Sequence, residues 1–360
     1  MIVDEFVELV KIDAESGDEA QMAAAVSGKL RSIGLEVEHD DAGNVVARLH
    51  SSGAERSRGD AIMLCAHLDR VPPGRGVNPV VRDGVIYSSG DTVLAADDIA
   101  GVVAILEGLR MAKADGRPLP PVETVFTVSE ERGLRGAKQL DCSRLGSKMG
   151  YIFDASDPVG TVILSSPTHM GMEVEIIGRA AHAAANPEDG ISAIQAAAEA
   201  IVGFPFGRID EQTTANVGIV SGGVATNIIA ERAYFKAEIR SLDHQRALNL
   251  TDECAAKIRE AVARHGARAD IATTLDYRGY TIAVDGPVAR RAVRALEATG
   301  RRAVFQSTMG GSDGNVFNAN GIACVVLGVG CQNVHSTRES QPISELEAAA
   351  ELVRELIMAG

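Results

Sequence analysis

Two short, nearly uninterrupted apolar runs, 61–66 (AIMLCA) and 122–128 (VETVFTV), flank a helical stretch at 98–114 that stops before Gly116 and Pro118. Runs of this kind suit strands buried on both faces of a sheet. Strand, helix, strand in that order makes a parallel crossover, so the chain is expected to build an α/β fold. At about 150 residues per domain, 360 residues also imply roughly two domains. Hydrophobic residues are 46% and charged residues 23% of the chain, which suits a large packed core and excludes disorder.

The pattern changes near Thr168. Strand-like segments at 171–178, 216–220, 232–240 and 269–275 interleave with helices at 191–202 and 243–264, giving the βαββαβ order of ferredoxin-like modules. After about Ala283 the first pattern returns, with a basic helix at 287–298, an apolar strand at 323–329 and an amphipathic helix from Ser344. The expected architecture is a mixed sheet with helices on both faces, formed by 1–166 and 284–360 and interrupted by an α+β domain over 167–283. Between Arg70 and Ala96 a long loop holds a small hairpin, with an Asp83-Gly84 turn joining Val80-Val81 to Val85-Ile86.

Lys plus Arg number 35 against 49 Asp plus Glu, a net charge of −14, and no basic block interleaves with aromatics. This argues against a nucleic-acid partner and leaves carboxylates available for cations. Five cysteines, Cys65, Cys142, Cys254, Cys324 and Cys331, show no CxxC spacing and read as reduced thiols. The first residues are acidic where a signal peptide would be basic, and no apolar run reaches the ~18 residues of a membrane span. A cytoplasmic protein is expected.

Chemistry concentrates where the strands end. The run 61–66 leads into His67-Leu68-Asp69, whose first and third residues share one face of an extended segment. Asp97-Asp98 opens the long helix; one aspartate suffices for a cap, and the second requires another explanation. The strand 122–128 runs into Ser129-Glu130-Glu131, 151–153 into Asp154, and 323–329 is followed by His335. Ligand sites in parallel sheets lie outside the carboxyl ends of the strands. Two histidines and three or more carboxylates on that rim can hold two divalent ions. One of Glu130 and Glu131 would ligate, and the other would serve as the base that takes a proton from water.

The ordered motifs HLD (67–69), AADDIAG (95–101), SEERGLRGA (129–137), FDAS (153–156) and NVHSTRE (333–339) resemble the dinuclear zinc peptidase family. That family includes peptidase T, carboxypeptidase G and the aminoacylases, and the likeness is greatest to its peptidase T-like branch. The segments 178–182 (GRAAH) and 186–194 (NPEDGISAI) resemble its lid and dimerisation module. The resemblance implies two Zn2+ per chain, with Co2+ or Mn2+ as substitutes. His67 and Asp154 would bind one ion, Glu131 and His335 the other, and Asp97 both. It further implies that Asp69 clamps the His67 ring, Glu130 is the general base, and His182 donates to the reacting carbonyl oxygen, often from a partner subunit. Arg240 would bind a substrate carboxylate, while Asn227, Gly311 and Asp313 would belong to the substrate pocket. In two places the chain departs from the pattern: Ile99 stands where many relatives have lysine, and Met309 where peptidase T has arginine. Both departures remove positive charge from the expected pocket.

The expected function is therefore a metallopeptidase of the exopeptidase type, an aminopeptidase acting on small peptides as a homodimer. Two alternatives remain: an aminoacylase or deacetylase acting on N-acyl amino acids, and a non-catalytic binding protein descended from such an enzyme.

Overall fold

All six residues of Ile62–His67 and all six of Val122–Thr127 are buried, so both faces of the sheet are covered where these strands run. They belong to a computed structural model that describes residues 2–51 and 61–359. The chain opens with α1 (Ile2–Val10), α2 (Ala20–Ile33), β1 (Glu36–His39) and β2 (Val45–Leu49). Next come β3 (Ile62–His67), the hairpin of β4 (Pro79–Arg82) and β5 (Val85–Ser88), and the long helix α3 (Ala96–Ala114). After these follow β6 (Val122–Thr127), α4 (Arg135–Gln139), β7 (Met149–Ala155) and β8 (Thr161–Ser166). Asp83 and Gly84 both take positive φ at the hairpin turn, the backbone that matches the twist of the paired strands.

A second set of elements then intervenes: β9 (Thr168–Ile177), α5 (Ala193–Val202), β10 (Gly207–Asp210), β11 (Thr213–Gly222), β12 (Arg232–Ser241), α6 (His244–Arg264) and β13 (Arg268–Tyr277). The closing part holds β14 (Tyr280–Thr281), α7 (Pro287–Ala298), β15 (Val304–Ser307), α8 (Asp313–Ala319), β16 (Ala323–Gly328), β17 (Ser340–Pro342) and α9 (Ile343–Met358). Two compact units result. The first comprises Met1–Leu164, Thr281–Ser307 and Ser312–Gly360; the second comprises Ser165–Tyr280 and, after a brief return of the chain, Thr308–Gly311.

The large mixed sheet runs in the order β1-β2-β6-β3-β7-β16-β8-β14, with β15 paired to β8. Its four central strands, β6, β3, β7 and β16, are mutually parallel, so their carboxyl ends share one rim. Helix α3 is buried over most of its surface and is correspondingly apolar apart from Glu107, Arg110 and Lys113 toward its end, with Val102, Ile105 and Leu109 in the same core as Leu352, Val353 and Leu356 of α9. At its first turn Gly101 lies so close to β7 that an added Cβ would stand 2.3 Å from the Phe153 carbonyl oxygen. Helix α3 can approach β7 this closely because residue 101 has no side chain.

In the second unit a five-stranded antiparallel sheet, β10-β11-β12-β9-β13, packs one face against α5 and α6. Phe235, Val174, Ile176 and Ile239 meet Ala196, Ala247, Ile258 and Val262 in a core of its own. Strand β10, an addition to the βαββαβ order, pairs only with residues 213–215 of β11. The remainder of β11 forms a free edge on that side among the described residues. None of the five cysteines is in a disulfide, and four are buried. No helix among the described residues is long and apolar enough to cross a membrane.

Gly101→Ala should destabilise the metal-free protein by about 1–3 kcal/mol through overpacking, read as a lower urea midpoint with unchanged slope.

Candidate metal centre

Asp97 Oδ1 lies 3.1 Å from His67 Nε2, and Asp97 Oδ2 lies 3.2 Å from His335 Nε2. Each imidazole has a second carboxylate beside it: Asp154 at 3.7 Å from His67 Nε2, and Glu131 at 2.7 Å from His335 Nε2. Two donor sets thus share Asp97, His67-Asp97-Asp154 and Asp97-Glu131-His335, with the donor atoms of each within 4.8 Å of one another. Every one of these residues stands at the carboxyl-end rim of β3, β6, β7 and β16 or at the start of α3.

The local backbone explains how each side chain arrives there. His67 is the last residue of β3, and its Nδ1 lies 3.0 Å from the Asp69 carbonyl oxygen, which leaves Nε2 facing the rim. The Asp69 carboxylate, expected to clamp that ring, stands beside the same nitrogen, with Oδ1 at 3.5 Å. It is buried and also accepts hydrogen bonds from the Ser16 hydroxyl (2.5 Å) and the Glu130 and Glu131 amides (2.9 and 3.3 Å). One side chain therefore ties the His67 strand to the turn that carries both glutamates. Asp98, the unexplained neighbour of Asp97, is fully buried and accepts from the Gly101 amide as a cap and from the His67 amide at 3.1 Å. Sequence reasoning missed Ser16 and the second bond of Asp98, because both depend on contacts between segments distant in the chain.

None of Asp97, Glu130, Glu131 and Asp154 is ion-paired with a lysine or arginine among the described residues. Burial, reinforced by the Asp154 charge, pushes the Glu130 carboxyl well above its ordinary range. Burial likewise pushes up Asp154, with Asp98 and Asp97 adding repulsion. His335 is raised to about 10 by its hydrogen bonds to Asp97 and Glu131. For His67, burial opposes the charged form, but Asp69, Asp97 and Asp154 outweigh it and raise the imidazole well above its usual value. Protons hold together a group of carboxylates that divalent cations would neutralise better, so the donor set fits two such ions.

The other expected residues lie elsewhere. His182 and Asn227, both exposed, come together in the second unit: the Ala183 amide donates to the Asn227 carbonyl at 3.0 Å. His182 Nδ1 accepts from the Ala184 and Ala185 amides, each at 3.1 Å, so in the neutral ring the proton sits on Nε2, available for donation. Arg240 is already committed on most sides. Its Nε and Nη2 donate to Glu238 at 3.2 and 3.1 Å, and Nη1 donates to the Tyr277 hydroxyl and the Met309 carbonyl. Gly311 lies where a Cβ would stand 2.3 Å from the Tyr277 ring.

Two expectations need correction. Asp313 is 1% exposed and accepts a hydrogen bond from Thr127, so it has no open surface for a substrate. Ile99 is 0% exposed within the core of α3 and does not line a pocket at all.

A family model described as the peptidase dimerisation domain of the M20 peptidases matches residues 164–266. The chain is 38% identical to the uncharacterized protein YqjE of Bacillus subtilis over 99% of its own length and 97% of that relative. A crystal structure of aminopeptidase PepT from Bacillus cereus superposes with TM-score 0.91 at 37% identity, covering 99% of this chain and 97% of that one. The chain is a peptidase T-like member of the M20 peptidase family. A tripeptidase from Staphylococcus aureus is similarly close, with TM-score 0.93, 37% identity and coverage of 99% and 96%. Like its family the protein is a hydrolase of the peptidase class, with an α/β fold that carries a dimerisation domain.

Metal uptake by this M20 centre should displace protons from His335, His67, Glu130 and Asp154. Zinc titrations in buffers of differing protonation enthalpy should show net proton release, with apparent affinity rising between about pH 6 and pH 8. Affinity that falls with pH would contradict the ligand set.

Proposed function

We propose that this chain is a dinuclear zinc exopeptidase that removes the amino-terminal residue from small peptides bearing a free carboxylate. The observation that carries this reading is the single carboxylate of Asp97 set between two imidazoles, each with a further carboxylate of its own. His67, Asp97 and Asp154 would hold one ion, and Asp97, Glu131 and His335 the other. Bound there, the two ions would polarise a peptide carbonyl and lower the pKa of water. Nitrogen and oxygen donors of this kind suit zinc and also accept cobalt or manganese.

The remaining steps belong to the protein's own groups. Glu130 is not part of the two donor sets that share Asp97, although it also lies within donor distance of His67 and Glu131; its carboxylate is buried at the rim, and its amide is fixed by Asp69. It takes the proton of the attacking water and returns it to the leaving amine. His182, carrying its proton on Nε2, donates to the developing oxyanion, and Asn227 orders the same loop. Arg240 offers its remaining N–H to the substrate carboxylate, with Glu238 and Tyr277 holding the guanidinium plane. The names of the solved relatives, an aminopeptidase and a tripeptidase, favour an amino-terminal cut on short peptides.

A homodimer accords with the second unit, where Ile219, Val220 and Val224 are exposed on or just after the free edge of β11 and Val202 and Phe206 are exposed at and after the end of α5. The protein would act in the cytoplasm, where its thiols stay reduced.

Glu130→Gln should lower kcat by roughly 10²–10⁴ while metal content measured by mass spectrometry stays at two ions. Wild-type turnover in that variant would remove Glu130 from the mechanism. Arg240→Ala should raise KM for a free-acid tripeptide about 10- to 100-fold and leave the carboxyamide of the same peptide nearly unaffected. Equal effects on both substrates would exclude carboxylate recognition by Arg240. Cleavage of N-acyl amino acids without cleavage of peptides would point instead to an aminoacylase.

A further inference from the structure

Glu339 is buried, 2% exposed, and makes no ion pair with a lysine or arginine among the described residues. It lies in the same unit as a rim already crowded with acids, so burying a further carboxylate requires a reason. Its Oε1 accepts a hydrogen bond from the Asp97 amide at 2.9 Å, and its Oε2 accepts from the Ala95 amide at 2.8 Å. We propose that Glu339 is a positioning residue for the metal centre, fixing the backbone from which Asp97 reaches both donor sets. This inference rests on the dinuclear reading above.

Two further observations bear on it. Ala95 takes φ +66° and ψ +32°, a left-handed conformation unfavourable for a residue with a Cβ, so this turn has to be held by something outside itself. Glu339 holds it at the Ala95 amide. Glu339 is also four residues past His335, in a loop closed where the Gln332 amide donates to the Ser340 carbonyl (2.8 Å) and the Ser340 amide donates back (3.0 Å). A single closed loop thus brings His335 to Asp97 Oδ2 and brings Glu339 to the amide of the same aspartate. Because the two amides approach different oxygens, the side chain must accept at both ends. Glutamine has the same length but would turn an NH2 donor toward one of the amides, and aspartate is one methylene shorter.

The test uses the full chain carrying Glu339→Gln or Glu339→Asp, stripped of metal and titrated with zinc against a competing chelator. Thermal unfolding of the metal-free protein and steady-state kinetics complete the comparison. Glu339→Gln should bind zinc about 10- to 100-fold more weakly than wild type, the usual effect of losing a group that orients a ligand. The metal-free protein should stay folded with only a modestly lower thermal midpoint, as the loss of one accepted amide hydrogen bond requires, KM should stay near wild type, and the loss in kcat should shrink as free zinc is raised. Glu339→Asp should fall between the two proteins, and if Glu339→Gln does not fold, the aspartate variant decides by the same measurements. Zinc affinity within twofold of wild type would overturn the proposal. So would a loss of affinity matched by unfolding of the metal-free protein, which would mark Glu339 as structural only. A wild-type protein that takes up fewer than two ions would overturn the dinuclear reading itself, and the proposal with it.

Discussion

Carboxylates crowded together out of water repel one another unless positive charge lies among them. Asp97, Asp154, Glu130 and Glu131 converge at one rim with two imidazoles and no lysine or arginine paired to them among the described residues. In the metal-free protein, protons relieve the repulsion, with His335 and His67 raised and Glu130 and Asp154 pushed up by burial. The four parallel strands bring these groups to one place, and buried acceptors such as Asp69 and Asp98 fix the backbone that carries them. Core packing supports this arrangement from below: α3 is buried over most of its surface and comes within one missing Cβ of β7.

Backbone strain gathers at the same rim. Of the six non-glycine residues with positive φ among the described residues, one is the proposed ligand His335 and four, Ala95, Ser129, Leu134 and Asn333, lie within three residues of a proposed ligand. Only Asp83, in the hairpin turn, stands apart. Such conformations persist where surrounding contacts over-determine them, and at Ser129 and Ala95 the contacts are side chains accepting from backbone amides. Ser129 N and Oγ both donate to Glu19, and Glu339 accepts at Ala95. Chemistry that requires donors placed within fractions of an ångström is thus supported by an outer layer of buried acids.

Local pattern carried much of the architecture. Strands at 61–66 and 122–128 correspond to β3 and β6, and the Asp83-Gly84 turn to the β4–β5 hairpin, because apolar runs and turn residues act over a few residues. Strands β10 and β15 and helix α8 escaped notice, being short and with no strong period of their own. In the site, residues that follow a strand's carboxyl end were legible, since the strand fixes where they emerge. Ile99 and Asp313 were misplaced. Helical phase turns the first inward beneath the rim, and the fold buries the second against Thr127; neither burial can be read from motif order.

By itself the sequence determined which groups could do chemistry and the order in which they leave the strands, because side-chain type and strand periodicity are local properties. It also determined the interruption of one α/β pattern by a second domain grammar. Only the tertiary structure decided that Asp97 lies between His67 and His335, that Asp69 ties the glutamate turn to β3, and that Glu339 reaches back to the Asp97 amide. These contacts join residues up to 242 positions apart, and a pattern only a few residues long carries no information about which distant donor a buried acceptor will meet.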